Sequence, residues 1–503
     1  MAHASCPSFG WDACHREPVA PGFRTRMYWS LNEVDPDAVA VLGGHDSIDG
    51  WALSYRELTD SADAFAASLD GGSAKELGAI FCRNSPQAIA AYLGALRHGD
   101  AVMLLNARMD AGHLEALMRA YRPDWVYEPR ERHSQLGKGR VREQWGWRLW
   151  QPRASRIEEA IHADLALLLS TSGTTGSPRM VRLSQTNLAS NAAAIVAALG
   201  IDAEDRALAA LPMHYAYGLS VLNSHLHAGA ALVVTEESPV EAGFWQTVAG
   251  RQVTTLPGVP MTYQMLMRLN PGPRALASVR SLTVAGGPLA EHLVERMADW
   301  CDASGARFHV MYGQTEATAR MSVLPPGMLR SKPGSVGLAI GAGRLSLSPG
   351  GELLFAGPNV MMGYALARED LALGDCMGGR LATGDLGRID DDGCAYVSGR
   401  LKRMLKIHGH RVSLDVLEQG LETLLRLPVA VAGEDDRLVV YLEAGSAKAV
   451  GSARDALTRR YRLPPSAFEV QVLSELPRTI NGKLDAAALR ALDSGTAEER
   501  RRG

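Results

Sequence analysis

The chain has 503 residues, 46% hydrophobic and 21% charged, with a formal net charge of −3. This is the composition of an ordinary globular protein, and its balanced charge gives no electrostatic case for nucleic acid or an anionic membrane as partner. No run approaches the about 18 apolar residues that cross a bilayer, so no integral membrane segment is expected.

The first 18 residues are polar and carry no apolar core of a secretion signal. Further on, Ser54-Tyr55-Arg56-Glu57 has the pattern of a capping box, and Leu58, Ala62, Phe65 and Leu69 behind it recur at helical spacing. Residues 165–169 are a short apolar run that ends in a Gly/Ser/Thr loop and predict a buried strand. A helix is expected next, with Leu188, Ala192, Ile195 and Leu199 on one face. Residues 308–312 predict a second buried strand, again running into a polar loop. Alternating segments of this kind argue an α/β fold, in which ligands sit at the carboxyl ends of strands. After about residue 340 the texture changes to short strand-like runs punctuated by Pro349-Gly350-Gly351, Gly357-Pro358 and Asp391-Asp392-Gly393, the last a hairpin signal. The expected organisation is a large domain, 1–400, of α/β sheet subdomains with a small β-rich lobe, followed by a smaller mobile α+β domain, 401–503. The six cysteines (Cys6, Cys14, Cys82, Cys301, Cys376 and Cys394) form no CxxC pair and no metal spacing, which fits a reducing cytoplasm.

The sharpest chemical signal is Thr171-Ser172-Gly173-Thr174-Thr175-Gly176-Ser177-Pro178-Arg179. Its glycines let the backbone approach an anion, successive N–H groups can form a nest, and hydroxyls and a guanidinium add donors. No Gly-Lys-Ser/Thr follows, so it is not a Walker loop; read alone it could also be a Ser/Thr/Gly surface loop. Further along stand Gly286-Gly287-Pro288, Tyr312-Gly313-Gln314-Thr315-Glu316, Gly351-Glu352-Leu353, Gly357-Pro358-Asn359-Val360-Met361 with Gly363-Tyr364, Thr383-Gly384-Asp385, Ser398-Gly399-Arg400-Leu401-Lys402, Lys406-Ile407-His408-Gly409-His410-Arg411 and Pro477-Arg478-Thr479-Ile480-Asn481-Gly482-Lys483. Alone, Asp385 reads as a turn residue and the final Gly-Lys as a solvated turn.

In this order the motifs resemble those of the adenylate-forming superfamily of acyl-CoA synthetases, adenylation domains and luciferases, most closely a stand-alone acyl- or aryl-CoA ligase. The resemblance implies that Ser172, Gly173, Thr174, Thr175, Gly176 and Arg179 cradle the phosphates of ATP. It implies that Thr171 and Glu316 hold Mg²⁺, that Gly286 and Gly287 admit adenine, and that Tyr312 stacks on it beside Gly313 and Thr315. Asp385 and Arg400 would bind ribose, Lys402 would be the pivot of the small domain, Gly409 and Arg411 would line the acceptor tunnel, and Lys483 would be the catalytic cation. The chain departs from the family pattern at Arg179 (usually lysine), Met180 (usually glycine) and Arg403 (usually aspartate). These departures keep open a nucleotide-binding protein without turnover.

Pro212-Met213-His214-Tyr215-Ala216-Tyr217-Gly218-Leu219 resembles the stretch that walls the acyl pocket. Amino-acid-activating relatives carry an aspartate where Tyr215 stands, and an ammonium buried without a counter-charge is costly. The expected acid is therefore aryl or medium-chain acyl, with His214, Tyr215, Tyr217, Val284, Met311 and Thr318 as walls. Coenzyme A is the expected acceptor, with a carrier protein's phosphopantetheine or a free amine as alternatives. His225-Leu226-His227 and His408-Gly409-His410 lack a third ligand at zinc spacing, and Met261, Met265 and Met267 read as core.

Overall fold

The computed structural model describes residues 27–492 except 46–49, 70–73, 110, 133–138, 153–158, 171–178, 273, 408–409, 479–483, 486–487 and 490–491. Among the described residues two large sheets dominate. One, of eight strands, runs in the order Gly363–Ala365, Met180–Ser184, Leu165–Ser170, Ala101–Asn106, Leu77–Cys82, Trp125–Pro129, Trp147–Pro152, Gly139–Gln144. The other has nine strands, with Arg307–Tyr312, Ser281–Val284, Thr255–Gly258, Arg206–Ala209 and Ala231–Val234 forming its parallel centre.

The central strands are apolar on both faces because helices cover both. In Leu77–Cys82, Leu77, Ala79 and Phe81 join one buried cluster with Leu117 and Tyr121 of the outer helix Ala111–Tyr121. Ile80 and Cys82 point the other way, into a cluster that spans both sheets. That central cluster contains the buried faces of helices Tyr55–Ser68, Pro86–His98, Gln185–Leu199 and Ala216–Ala228. On the far side of the nine-stranded sheet, Leu208, Leu256, Leu282 and Phe308 pack against helices Ala242–Gly250, Pro260–Leu269 and Glu291–Ser304.

Local expectations are realised where the chemistry is local. Ser54 Oγ accepts from the Glu57 N–H at 3.2 Å, and a Glu57 carboxylate oxygen accepts from the Ser54 N–H at 2.8 Å, closing the capping box. Asp391-Asp392-Gly393 joins strands Arg380–Ile389 and Ala395–Arg400, with Gly393 at φ +80. These two strands, with Arg344–Leu347 and Glu352–Ala356, form the antiparallel small lobe. Gly363-Tyr364, expected in that lobe, instead edges the eight-stranded sheet, with Gly363 opposite Arg182.

From Met404 onward the chain builds its own hairpin and a three-stranded sheet, Val429–Glu434, Arg437–Glu443 and Phe468–Leu473, packed with helices Leu414–Leu425 and Ala447–Asp455. Arg403 ties the start of this unit together. Its guanidinium donates to Asp415 at 2.5 Å, to both oxygens of buried Glu418 at 2.9 and 2.6 Å, and to the Val431 carbonyl at 3.0 Å. The second Asp415 oxygen accepts from the Arg400 N–H at 2.7 Å. Arg403→Met therefore strands a buried carboxylate, and a loss of about 3–5 kcal/mol is expected in urea unfolding. The double variant R403M/E418L should recover most of it, since both charges are then gone.

Candidate active site

The two strands of the small lobe that carry Asp385 and Arg400 pair antiparallel with these residues opposite each other. Opposed side chains share a face, and Arg400 Nε donates to Asp385 Oδ1 at 3.0 Å. Tyr312, at the carboxyl end of its parallel strand, donates its hydroxyl to Asp385 Oδ2 at 2.5 Å. Burial, and then the Asp385 charge, push the Tyr312 phenol well above its ordinary range, so it stays a donor. Asp385 is only 3% exposed and lies within a ten-residue strand, which removes the reading of it as a turn residue. The Gly384 N–H donates to Glu352 Oε1 at 2.8 Å, and Gln314 Nε2 donates to the Thr383 carbonyl at 3.3 Å. Residues of four motifs, spread from Tyr312 to Arg400, thus meet at one point.

The loop after Tyr312 is tightly built. A Cβ on Gly313 would stand 1.6 Å from the Ala319 carbonyl oxygen, so only glycine lets the loop close. Thr318 and Ala319 have φ of +60 and +125, conformations that cost energy for residues with a Cβ. Buried asparagines hold them. Asn359 Nδ2 donates to the Ala317 and Arg320 carbonyls at 2.9 and 3.1 Å, Asn191 Nδ2 donates to the Arg320 carbonyl at 2.8 Å, and Thr318 Oγ1 donates to the Asn359 carbonyl at 2.6 Å. Thr318 thus braces the loop through its hydroxyl.

This loop presents Glu316. Its Oε1 accepts from the Tyr364 hydroxyl at 2.8 Å, and the Arg179 guanidinium lies 4.4 Å from the centre of the Tyr364 ring. A planar guanidinium suits that stack better than an ammonium does, which gives Arg179 a place of its own. Met180 is fully buried and opens the strand Met180–Ser184, opposite Ser170 and Ala365. One carboxylate with an oxygen left to offer fits Mg²⁺, which takes one or two carboxylates beside phosphate oxygens and water. No group of three or more His, Cys, Asp or Glu able to hold a metal occurs among the described residues.

On the acyl side, Tyr215 is the N-cap of the helix Ala216–Ala228. Gly286, at φ +89, would with a Cβ approach the Tyr215 hydroxyl to 2.6 Å, so the Gly286 loop and Tyr215 are neighbours. The Tyr217 hydroxyl donates to the Thr283 carbonyl at 2.8 Å and lies 2.9 Å from Thr283 Oγ1. Met311 belongs to the same central cluster as Tyr217. Val284 does not: strand alternation turns it into the outer cluster with Leu282 and Phe308, and Thr283 occupies the place expected of it. Gly287 stands beside Pro260. Thr171, Ser172, Gly173, Thr174, Thr175, Gly176, Gly409 and Lys483 lie outside the described residues, and of Lys402 and Arg411 only the backbone is described. Sequence reasoning missed Tyr364 as a partner of Glu316, the two bracing asparagines, and Arg320; none stands in a pattern that signals its contact.

Half-buried His214 and buried His309 belong to the segments that carry Tyr215 and Met311. Burial pushes His214 down to about 4; burial, followed by the charges of Arg307 and Arg320, does the same to His309. A histidine held neutral in the fold but titrating near 6.5 when unfolded adds stability above about pH 6.5 that is lost as pH falls toward 4. Denaturant midpoints should therefore drop steadily from pH 7 to pH 5. His309→Asn should reduce that slope by about one proton, roughly 1.4 kcal/mol per pH unit.

An α/β chain in which an aspartate, a tyrosine and an arginine close on one another beside a braced glutamate loop has the layout of a nucleotide-activating ligase. A family model described as AMP-binding enzyme matches residues 30–365, and the chain belongs to that family. It is 28% identical to the indoleacetate–CoA ligase of Aromatoleum aromaticum over 88% of this chain and 93% of that protein. It is 25% identical to the 2-succinylbenzoate–CoA ligase of Bacillus subtilis over 90% and 94%. An isonitrile lipopeptide synthase of Streptomyces coeruleorubidus is 31% identical over 91% of this chain, which spans 33% of that longer protein. Among solved structures, an anthranilate CoA ligase superposes with a TM-score of 0.77 at 20% identity, covering 96% of this chain and 100% of the other. The o-succinylbenzoate CoA synthetase of Bacillus subtilis gives 0.73 at 22%, covering 92% and 98%. These likenesses show the same fold. Among the described residues no helix is long and apolar enough to cross a membrane.

Proposed function

We propose that this enzyme uses ATP and Mg²⁺ to convert a carboxylic acid to its acyl-adenylate with release of pyrophosphate, and then transfers the acyl group to coenzyme A. The observation that carries the reading is the meeting of Tyr312, Asp385 and Arg400 beside the Glu316 loop, at the carboxyl end of a parallel strand. Asp385 and Arg400 take the ribose and Tyr312 the adenine. The 171–176 stretch and Arg179 take the phosphates. Glu316 with Thr171 holds Mg²⁺, which when bound supplies positive charge to the phosphate oxygens. Lys483 stabilises the charge that builds as the carboxylate attacks the α-phosphate. Residues 401–503 form the mobile domain, which turns about Lys402 to exchange Lys483 for the Gly409 and Arg411 stretch before thiol attack.

Two relatives that match nearly end to end are CoA ligases of indoleacetate and 2-succinylbenzoate. This supports an aryl or medium-chain acid here, and coenzyme A over a carrier protein or an amine. The departures that suggested a silent nucleotide binder each have a packing role, Arg179 on Tyr364, Met180 in the core and Arg403 on Glu418. Cys82, Cys301, Cys376 and Cys394 are free thiols, in keeping with a cytoplasmic location. The test is ATP–pyrophosphate exchange against aryl, fatty and α-amino acids. Exchange driven by an aryl or medium-chain acid, and not by α-amino acids, is expected. ATP binding without exchange for any acid would overturn the reading.

A further inference from the structure

Among the described residues, the buried arginines are well supplied with oxygen acceptors, with one exception. Arg182 donates to the Tyr364, Met362 and Gly374 carbonyls at 3.2, 3.2 and 3.3 Å and also to that of Leu373. Arg368 pairs with the Asp124 carboxylate at 2.7 Å and donates to the Arg122 carbonyl at 2.8 Å. Arg251 donates to the carbonyls of Gly43 and Gly44. Arg320, 2% exposed, is different. Its guanidinium meets the Met311 sulfur at 2.7 Å and the Ser220 hydroxyl at 3.0 Å, and lies 4.6 Å from the centre of the Tyr217 ring. Its Nε has no partner, and among the described residues no carboxylate stands within ion-pair reach.

A guanidinium offers five N–H donors, and leaving such a charge buried without an anion is costly. The surroundings are polar but not anionic. His309, 2% exposed, has neither ring nitrogen hydrogen-bonded and is held neutral. The Tyr217 hydroxyl donates to Thr283 and offers Arg320 a neutral oxygen, since burial keeps its phenol protonated. The backbone around Arg320 is nonetheless pinned by Asn191 and Asn359 and follows the two positive-φ residues. A costly side chain is thus fixed in place against Tyr217 and Met311, two of the residues expected to wall the acyl pocket.

We propose that Arg320 receives a second carboxylate carried by the acyl substrate, so that the acid activated here is a dicarboxylic acid. The inference rests on the proposed acyl-activating function and specifies its substrate class. The second carboxylate, not the reacting one, is the partner because of depth. The reacting group must reach the nucleotide near Tyr312. Arg320, 2% exposed, bonds to buried Met311 and to buried Ser220 in the second turn of the helix Ala216–Ala228, so it lies inside the core rather than at the open strand ends. The pocket then selects acids with one carboxylate at the strand ends and another reaching into the region bounded by Tyr217, Ser220, Met311 and His309.

The test compares acids of one skeleton with and without the second carboxylate, an α,ω-diacid against its monoacid and an arene diacid against its monoacid. The readouts are pyrophosphate exchange and thermal shift on the full chain. The wild type is expected to favour the diacid, and Arg320→Met to lower diacid kcat/KM roughly 100-fold, mainly through KM. The diacid-to-monoacid ratio should then invert, and Arg320→Lys should restore part of it. Without any acid, R320M should melt no lower than the wild type, because it removes an unpaired buried charge. A wild type that prefers monoacids, or an R320M protein with unchanged preference and a lower Tm, would overturn the proposal. Thermal stabilisation by the diacid that disappears in R320M, with no exchange for any acid, would keep the site and remove the adenylating reaction.

Discussion

Lys483→Ala is expected to lower acid-dependent ATP–pyrophosphate exchange by roughly 10³-fold while thioester formation from supplied acyl-adenylate and CoA continues. Displacement at the α-phosphorus brings carboxylate and phosphate oxygens together, and a positioned cation lowers that barrier only during the first half-reaction. The flanking chain is anchored for such a role: Arg478 and Leu484 form an antiparallel bridge, and Arg478 lies 3.9 Å from Glu443. Gly409→Leu should show the opposite phenotype, normal exchange with little thioester, because its added side chain would block the acceptor's approach. Measuring both half-reactions on both variants checks the proposed domain alternation. Equal loss of the two half-reactions in K483A would sink it.

Asp385→Ala is expected to lower kcat/KM for ATP by roughly 100-fold, with the KM for the acid little changed, because a buried carboxylate and its hydrogen bonds to Tyr312 and Arg400 are lost together. In the fold both carboxylate oxygens are engaged, one by Tyr312 at 2.5 Å and one by Arg400 at 3.0 Å. The alanine variant leaves the half-buried Tyr312 phenol without its acceptor and Arg400 without its counter-charge. Asp385→Asn keeps an acceptor for Tyr312 but not the ion pair, so it should fall between. An unchanged KM for ATP with a large loss of thermal stability would make Asp385 only a tie between the small lobe and the nine-stranded sheet.

Much of the architecture could be read from the amino-acid order, and for identifiable reasons. The capping box at Ser54 and Glu57 and the hairpin at Asp391-Asp392-Gly393 depend on residues within a few positions of one another. The buried strands ending at Ser170 and Tyr312 announce themselves as continuous apolar runs, because both faces of each sheet are covered. Errors arose where a short segment could pair in more than one place. Gly363-Tyr364 is compatible with either sheet, and only its pairing with Arg182 decides that it edges the larger one. Val284 and Thr283 are neighbours in the chain but face opposite clusters, and strand register alone settles which of them meets Tyr217.

The sequence by itself determined the class of chemistry through the order of its motifs, whose resemblance to the adenylate-forming superfamily decided what each short motif alone left open. The tertiary structure decided which of those residues act on one another. Tyr312, Asp385 and Arg400 lie in strands of two different sheets, as the pairing and hydrogen bonds show. Arg179 and Glu316 both meet Tyr364, one at its ring and the other at its hydroxyl. Arg320 carries no sequence signal at all, since a lone arginine in a chain is usually solvated. Its meaning comes from burial without a counter-ion, a property of three-dimensional packing that no spacing of residues along the chain can express.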